Sequence, residues 1–236
     1  MSRRDGRPLW IEETTSLTGV VDKTEVTAHV LERVKFHVTS VDRGYDEAWL
    51  QDLLDRNPAI LPVQQIESEF RQLISVCREL PLIFGGGRTG SLDNLFVTPT
   101  GGLVIVETKL WNNPEAKRAA VAQVMEYAAA VFRLNYEGLQ SAILSARKST
   151  KAEEFTSLLA IVEQQKHVID EAEFIDAVTR NLKKGRAIVA IVGDGIQEDL
   201  MSLAELLQSH AGLRFTFAQG CSTLIKLPCM PGYDRG

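Results

Sequence analysis

The chain is predicted to be an α/β protein with a mixed central sheet flanked by helices. Short apolar runs with the composition of strands lie at residues 92–97, 103–108, 186–192 and 213–218, between segments of helical periodicity. Such alternation of strands and helices favours a sheet with helices on both faces. Residues 103–106 are apolar on both faces of a strand, which is typical of a central strand that is covered on each side.

Three regions are predicted along the 236 residues. Residues 1–40 contain β-like stretches and form an N-terminal β-rich extension, either a small β element or the contact of a homodimer. Residues 41–218 form the α/β domain, within which residues 138–185 are a helical insertion. Residues 219–236 show no clear periodicity and contain two Cys and two Pro, so this tail is interpreted as irregular and aberrant, through truncation or a frameshift.

Helices are predicted before and after the two strands at residues 92–97 and 103–108. Residues 45–57 contain leucines at helical spacing and end before a Pro, and residues 114–134 begin with Pro and are rich in Ala. Residues 63–83 are interpreted as a further helix, in which Glu67 and Glu69 could provide an acid. The basic residues of 180–186 are interpreted as the end of a helix closed by a Gly, rather than as a basic groove.

A predicted hairpin, residues 92–97 and 103–108, brings three charges together. A five-residue turn between the two strands would align Asp93 with Glu107. Side chains alternate along a strand, so Lys109 shares a face with Glu107. A four-residue turn would send Asp93 to the other face, and the inference therefore depends on the register.

These charges predict a hydrolytic metal site. A charged pair at the end of an apolar strand is costly unless it binds something. Two carboxylates and a lysine at one point indicate a divalent metal and an activated water, which is the chemistry of phosphodiester hydrolysis. The alternative is an ordinary hairpin with a terminal salt bridge between Glu107 and Lys109.

The arrangement resembles the PD-(D/E)XK nuclease superfamily, in which an acid on one strand is followed by Glu-x-Lys on the next. Asp93 matches the first acid, although Leu92 stands where the family has Pro, and Glu107-Thr108-Lys109 matches the second part. The resemblance is strongest over residues 45–134 and is closest in pattern to prokaryotic members. It implies a restriction endonuclease-like core and a nuclease, with DNA as the expected substrate.

The same resemblance implies roles for individual residues. Asp93 and Glu107 would bind Mg²⁺ or Mn²⁺, with the backbone carbonyl of Thr108 as a further ligand. Lys109 would orient the attacking water and offset charge on phosphorus. Glu47, on the first predicted helix, matches a helical acid that faces the site in the family and would be a further metal ligand; alternatively, it is a first-turn acid that favours the helix dipole.

The second predicted helix adds a polar pair. Gln123 and Tyr127 are four residues apart and share a face, and members of the superfamily place a Gln and a Tyr at this spacing near the metal. The alternative is a polar rim on a core helix. Further candidates for substrate contacts are Arg88, Lys117 and Arg118, although the last two would also be ordinary solvated side chains.

Composition limits the choice of function and compartment. The net charge of −5 and the pI of about 5.5 count against a broad basic surface for nucleic acid. A non-catalytic binding or scaffold protein and a phosphoesterase for small nucleotides therefore stay as alternatives. Three isolated Cys and four His exclude an evident zinc motif and indicate a reducing cytoplasm. No apolar run is long enough for a membrane span, and the first residues lack a secretory signal.

Overall fold

A computed structural model describes most of the chain, which divides into two compact units, Met1–His37 with Cys221–Gly236 and Val38–Gly220. The described residues are 9–18, 21–30, 33–34, 46–61, 63–70, 72–109, 114–150, 155–164, 169–193, 214–219 and 224–225. The strands in chain order are β1 (Leu9–Thr18), β2 (Val21–Val30), β3 (Arg33–Val34), β4 (Ile74–Ile83), β5 (Thr89–Val97), β6 (Leu103–Lys109), β7 (Ile188–Gly193), β8 (Arg214–Gln219) and β9 (Leu224–Ile225). The helices are α1 (Glu47–Arg56), α2 (Pro114–Val131), α3 (Tyr136–Ser149), α4 (Leu158–Glu163) and α5 (Glu171–Lys184).

The first unit contains β structure, in agreement with the prediction for the N-terminal residues. β1 and β2 form an antiparallel pair. β3 pairs antiparallel with β9, which lies in the tail that the sequence predicts to be irregular. At least two residues of that tail are therefore paired in a short antiparallel β-ladder.

The second unit contains a mixed sheet of five strands in the order β4-β5-β6-β7-β8. β4, β5 and β6 are antiparallel, whereas β6, β7 and β8 are parallel. β6 is the central strand, and its residues from Leu103 to Thr108 are all buried. The predicted α/β class and mixed sheet are confirmed, because strands β6 to β8 carry the apolar runs on which the prediction depends.

Helices cover both faces of this sheet. On one face, Leu50 and Leu54 of α1 share a buried cluster with Val104 and Val106 of β6 and Phe96 of β5. On the other face, residues of α2, α3, α4 and α5 form a larger buried cluster with the alternate residues of the same strands. The period of two along β6 therefore divides its side chains between two cores.

The boundaries of two predicted helices agree with the structure. α1 begins after Asp46, whose Oδ1 accepts a hydrogen bond from the backbone N–H of Trp49 at 2.8 Å, and ends before Pro58. α5 ends at Gly185, which has a φ of 62° in the left-handed region that favours glycine. The basic residues before Gly185 are thus the end of a helix, as predicted.

The prediction of a helix at residues 63–83 is wrong. Residues 63–65 form a short 3-10 turn, and the second half of this segment is strand β4. Buried residues alternate with more exposed ones along most of β4, and its pairing with β5 satisfies its backbone groups along one edge. Glu67 and Glu69 lie outside any helix, so neither is a helical acid.

None of the described helices is both long enough and apolar enough to cross a lipid bilayer.

Candidate active site

The predicted register of the β5–β6 hairpin is confirmed. The two strands pair directly from the five-residue turn as far as Asn94 and Val106. Asp93 and Glu107 are the first residues beyond the last pair, one on each strand. The hairpin therefore brings both carboxylates to the same end of the sheet, at the carboxyl end of the central strand.

β5 is irregular at Asp93, and this irregularity explains why the pairing stops there. Asn94 donates a hydrogen bond from its Nδ2 to the backbone oxygen of Gln51 on α1 at 3.1 Å. Leu92, two residues earlier, lies in the core on the opposite face. In a regular strand, residues two apart lie on the same face. The strand therefore changes face at Asp93, which leaves the Asp93 side chain available to bond across to β6.

Asp93 is held by Thr108 of the neighbouring strand. Its Oδ2 accepts one hydrogen bond from the backbone N–H and one from the hydroxyl of Thr108, each at 2.7 Å. Burial raises the pKa of Asp93, and these two hydrogen bonds partly oppose that effect. The carboxylate thus has a fixed orientation, and no basic side chain of the described residues forms an ion pair with it.

Glu107 is the most unusual group of the site. The residue is only 1% exposed, and its Oε2 has no hydrogen-bond partner in the described part of the chain. Burial, followed by the charge of Asp93, raises the pKa of Glu107 to about 9, although Lys109 opposes the shift. A buried carboxylate oxygen without a partner needs an explanation, and the binding of a cation is one.

Lys109 links the end of β6 to the start of α1. Its Nζ lies 3.5 Å from each carboxylate oxygen of Glu47. The structure therefore places Glu47 beside the hairpin charges, as the sequence predicts. Asp46 caps this helix and Glu47 is the acid of its first turn, so the position of Glu47 also agrees with the alternative that it favours the helix dipole.

Arg78 of β4 anchors α1 against the sheet. Its Nη1 lies 3.2 Å from an oxygen of Asp52, and its Nη2 donates to the backbone oxygen of Ala48 at 3.2 Å and to Oε1 of Gln51 at 3.4 Å. These contacts lie within one and a half turns of the helix start. They hold the first turn of α1, and with it Glu47, near the end of β6.

On α2, Gln123 and Tyr127 form the predicted pair. Nε2 of Gln123 donates a hydrogen bond to the Tyr127 hydroxyl at 2.9 Å. Burial raises the pKa of Tyr127, and the charges of Glu107 and Asp93 add to this shift. The pair therefore lies within electrostatic range of both carboxylates, which agrees with the expected location of α2.

The predicted substrate contacts are less well connected to the site. Arg88 lies after the β4–β5 turn, where it forms an exposed ion pair with Glu126 at 2.8 Å and approaches the ring of Phe84. The side chains of Lys117 and Arg118 lie outside the described residues. Among the described residues, the ion pair of Arg88 is thus with Glu126, and no contact connects Arg88 with Asp93 or Glu107.

The two carboxylates of the site suit Mg²⁺ better than a metal that needs a closed cage of protein ligands. In the described residues, no group of three or more His, Cys, Asp and Glu side chains could hold a metal ion. Asp93 and Glu107 provide two carboxylates, and Mg²⁺ is commonly bound by one or two carboxylates together with water and phosphate oxygens. The unpartnered Oε2 of Glu107 agrees with such a site, whereas a closed cage of protein ligands is not present in this part of the chain.

One acidic residue near these groups is not among those that the sequence predicts. Glu79 of β4 contributes to the raised pKa values of Asp93, Glu107 and Tyr127, so its carboxylate lies near all three. In the sequence, the charged pair Arg78-Glu79 interrupts an alternation of apolar residues, which could have marked Glu79 as a candidate site residue. Because the segment is predicted to be a helix, Glu79 is not among the predicted site residues.

Comparisons with known proteins found no match. No protein-family model, no curated protein and no solved structure matches the chain. The geometry of the site is therefore the basis for a functional proposal.

Proposed function

We propose that the protein is a metal-dependent nuclease that hydrolyses phosphodiester bonds, with DNA as the expected substrate. The observation that carries this proposal is the buried, unpartnered carboxylate oxygen of Glu107 next to Asp93 and Lys109. A solvent-excluded carboxylate with a raised pKa is expensive, and such groups concentrate at functional sites. The resemblance to the PD-(D/E)XK superfamily supports the same assignment.

In this proposal, each residue has a distinct task. Asp93 and Glu107 would hold Mg²⁺ or Mn²⁺, with the backbone carbonyl of Thr108 as a third oxygen. The bound ion would supply Lewis-acid stabilisation of the phosphate and a lowered pKa for water. Lys109 would hold the attacking water in line with phosphorus and offset the negative charge that develops there.

Two supporting groups keep this arrangement in place. Glu47 faces the ammonium of Lys109 and restricts where that long side chain can point. Gln123 is oriented through its hydrogen bond to Tyr127 and could turn its amide oxygen towards a water or a substrate group. Both residues would act by positioning, so their removal should cost less than the removal of Lys109.

A non-catalytic binding or scaffold protein is the second candidate, and the net charge of −5 favours it. The two candidates differ in their response to metal. An intact site should gain thermal stability from millimolar Mn²⁺, and this gain should disappear in Asp93→Asn. A scaffold without a metal site should gain none in either protein.

Cleavage assays on single-stranded, double-stranded and branched DNA, and on RNA, test the proposal directly. We expect cutting that requires Mg²⁺ or Mn²⁺ and that falls by about 10²-fold or more in Asp93→Asn. Glu163→Gln removes an exposed carboxylate elsewhere and is the matched control. A folded wild type that neither binds Mn²⁺ nor cuts any of these substrates would overturn the proposal.

A further inference from the structure

Thr108 occupies a position where an apolar side chain is expected. Val104 and Val106 precede it at intervals of two residues on β6, and both pack in the buried cluster that contains residues of α1. Thr108 continues this row and is itself 0% exposed. A buried hydroxyl is costly unless it has a hydrogen-bond partner. Its partner is the carboxylate of Asp93, so the apolar row changes to a polar residue at the level of the proposed metal site.

Both hydrogen bonds from Thr108 end on the same oxygen of Asp93. The backbone N–H and the hydroxyl each donate to Oδ2 at 2.7 Å. A carboxylate oxygen has about two lone-pair sites, so these two donors use the accepting capacity of Oδ2. Oδ1 accepts no hydrogen bond from any residue in the described part of the chain. Asp93 therefore presents one oxygen, Oδ1, to a ligand.

The neighbouring carboxylate supplies the separate observation that points to a ligand. Oε2 of Glu107 is buried and has no partner among the described residues. Asp93 and Glu107 are the first residues beyond the last pair of the β5–β6 ladder. A cation that bound both side chains would thus receive few protein oxygens, and its other positions would be open to water and phosphate oxygens.

Divalent cations differ in how they use a carboxylate. Mg²⁺ requires near-octahedral geometry, keeps several waters and is commonly held by one or two carboxylates. Mn²⁺ also suits octahedral oxygen sites. Ca²⁺ takes about six to eight oxygens in a flexible geometry and can take both oxygens of one carboxylate. A carboxylate that is limited to one oxygen therefore favours Mg²⁺ and Mn²⁺ over Ca²⁺.

We propose that the Thr108 hydroxyl determines the metal specificity of the site, an inference that rests on the proposed function. By binding Oδ2 of Asp93, the hydroxyl limits this carboxylate to one metal-binding oxygen and makes the site prefer Mg²⁺ and Mn²⁺ to Ca²⁺. Thr108 acts through Asp93, so its side chain has a positioning role. The backbone N–H of residue 108 is present in every variant, and substitution of the side chain therefore tests the hydroxyl alone.

Affinities for Mn²⁺ and Ca²⁺ test this inference without an activity assay. Titration calorimetry on the metal-free protein would measure the Kd of each ion for wild type, Thr108→Val and Thr108→Ser. Val has nearly the shape of Thr but no hydroxyl, and Ser keeps the hydroxyl. In Thr108→Val one lone pair of Oδ2 becomes free and Asp93 is held less firmly. We expect the ratio of the Ca²⁺ Kd to the Mn²⁺ Kd to fall by about tenfold in Thr108→Val and to stay the same in Thr108→Ser.

Two further variants complete the set. Thr108→Ala removes the hydroxyl with a smaller side chain, so the result does not depend on how Val packs, and its ratio should fall as well. Thr179→Val, on α5, removes a hydroxyl elsewhere and should keep the wild-type ratio.

The outcomes separate this inference from the proposed function. An unchanged ratio in Thr108→Val and Thr108→Ala, with Mn²⁺ still bound, would overturn the inference and leave the proposed function standing. An equal fall in Thr108→Ser would also overturn it, because the hydroxyl would then not be the cause. A wild type that binds neither ion would overturn the proposed function and this inference together.

Discussion

Replacement of Glu107 by Gln should stabilise the metal-free protein, and the gain should grow with pH. Glu107 is 1% exposed as a residue, and its buried Oε2 has no partner in the described residues. Burial and the charge of Asp93 oppose its ionisation. Gln has nearly the same shape and no charge, so it removes the electrostatic cost while the packing around it stays similar.

The magnitude follows from the difference in pKa between the two states. The pKa of Glu107 is raised from 4.5 to about 9 in the folded chain. Below pH 4.5 the carboxyl is neutral in both states, and the Gln variant has no advantage. Between those two values the unfolded chain releases a proton that the folded chain keeps, so stability falls by about 1.4 kcal/mol per pH unit. At pH 7 the cost that Gln removes is about 3 kcal/mol.

Urea unfolding of EDTA-treated protein between pH 4 and pH 8 would measure this difference. We expect the free energies of unfolding of wild type and Glu107→Gln to agree near pH 4 and to separate as the pH rises. Saturating Mn²⁺ should restore the wild type and leave the variant nearly unchanged, because the ion favours the ionised carboxylate. Glu163→Gln should follow wild type throughout. A constant difference between wild type and Glu107→Gln at all pH values would refute the reasoning.

Three further substitutions test how the site is held. Arg78→Met should lower the free energy of unfolding, measured by urea denaturation, by about 1–2 kcal/mol and should slow cleavage, because α1 loses its contacts with Arg78. An unchanged free energy of unfolding and an unchanged cleavage rate would contradict that role. Gly101→Ala should lower the free energy of unfolding by about 2 kcal/mol, because φ at this residue is +78° and an added Cβ would lie 2.8 Å from Cβ of Ala177. Urea unfolding or thermal melting would measure this loss, and an unchanged stability would refute the reasoning. Tyr127→Phe should slow cleavage while the number of bound Mn²⁺ stays the same, because Gln123 loses its partner; a change in Mn²⁺ stoichiometry would show a different role.

The hairpin of the site could be predicted because its determinants are local. Two apolar strands joined by a turn that contains Pro and two Gly restrict the register to few choices, and the five-residue turn selects the observed one. The burial of β6 also follows from its composition, since a strand that is apolar on both faces can only be stable between two layers.

Strand β4 could not be predicted in the same way, because its structure depends on a distant partner. A short apolar segment has no unambiguous period, and residues 74–83 become a strand through their pairing with β5. Glu79 takes its place beside Asp93 only as a result of that pairing. The contact of the Thr108 side chain with Asp93 also depends on the change of face in β5, so the sequence motif indicates only the Thr108 carbonyl.

The cleavage rate of DNA by wild type and Lys109→Met, each with the same measured amount of bound Mn²⁺, tests the central proposal most directly. Lys109 is not expected to bind the metal, so both proteins should bind Mn²⁺. The account predicts EDTA-sensitive cutting by wild type and a rate at least about 10²-fold lower for Lys109→Met. Equal rates in the two proteins, or a metal-loaded wild type that cuts neither DNA nor RNA, would contradict it.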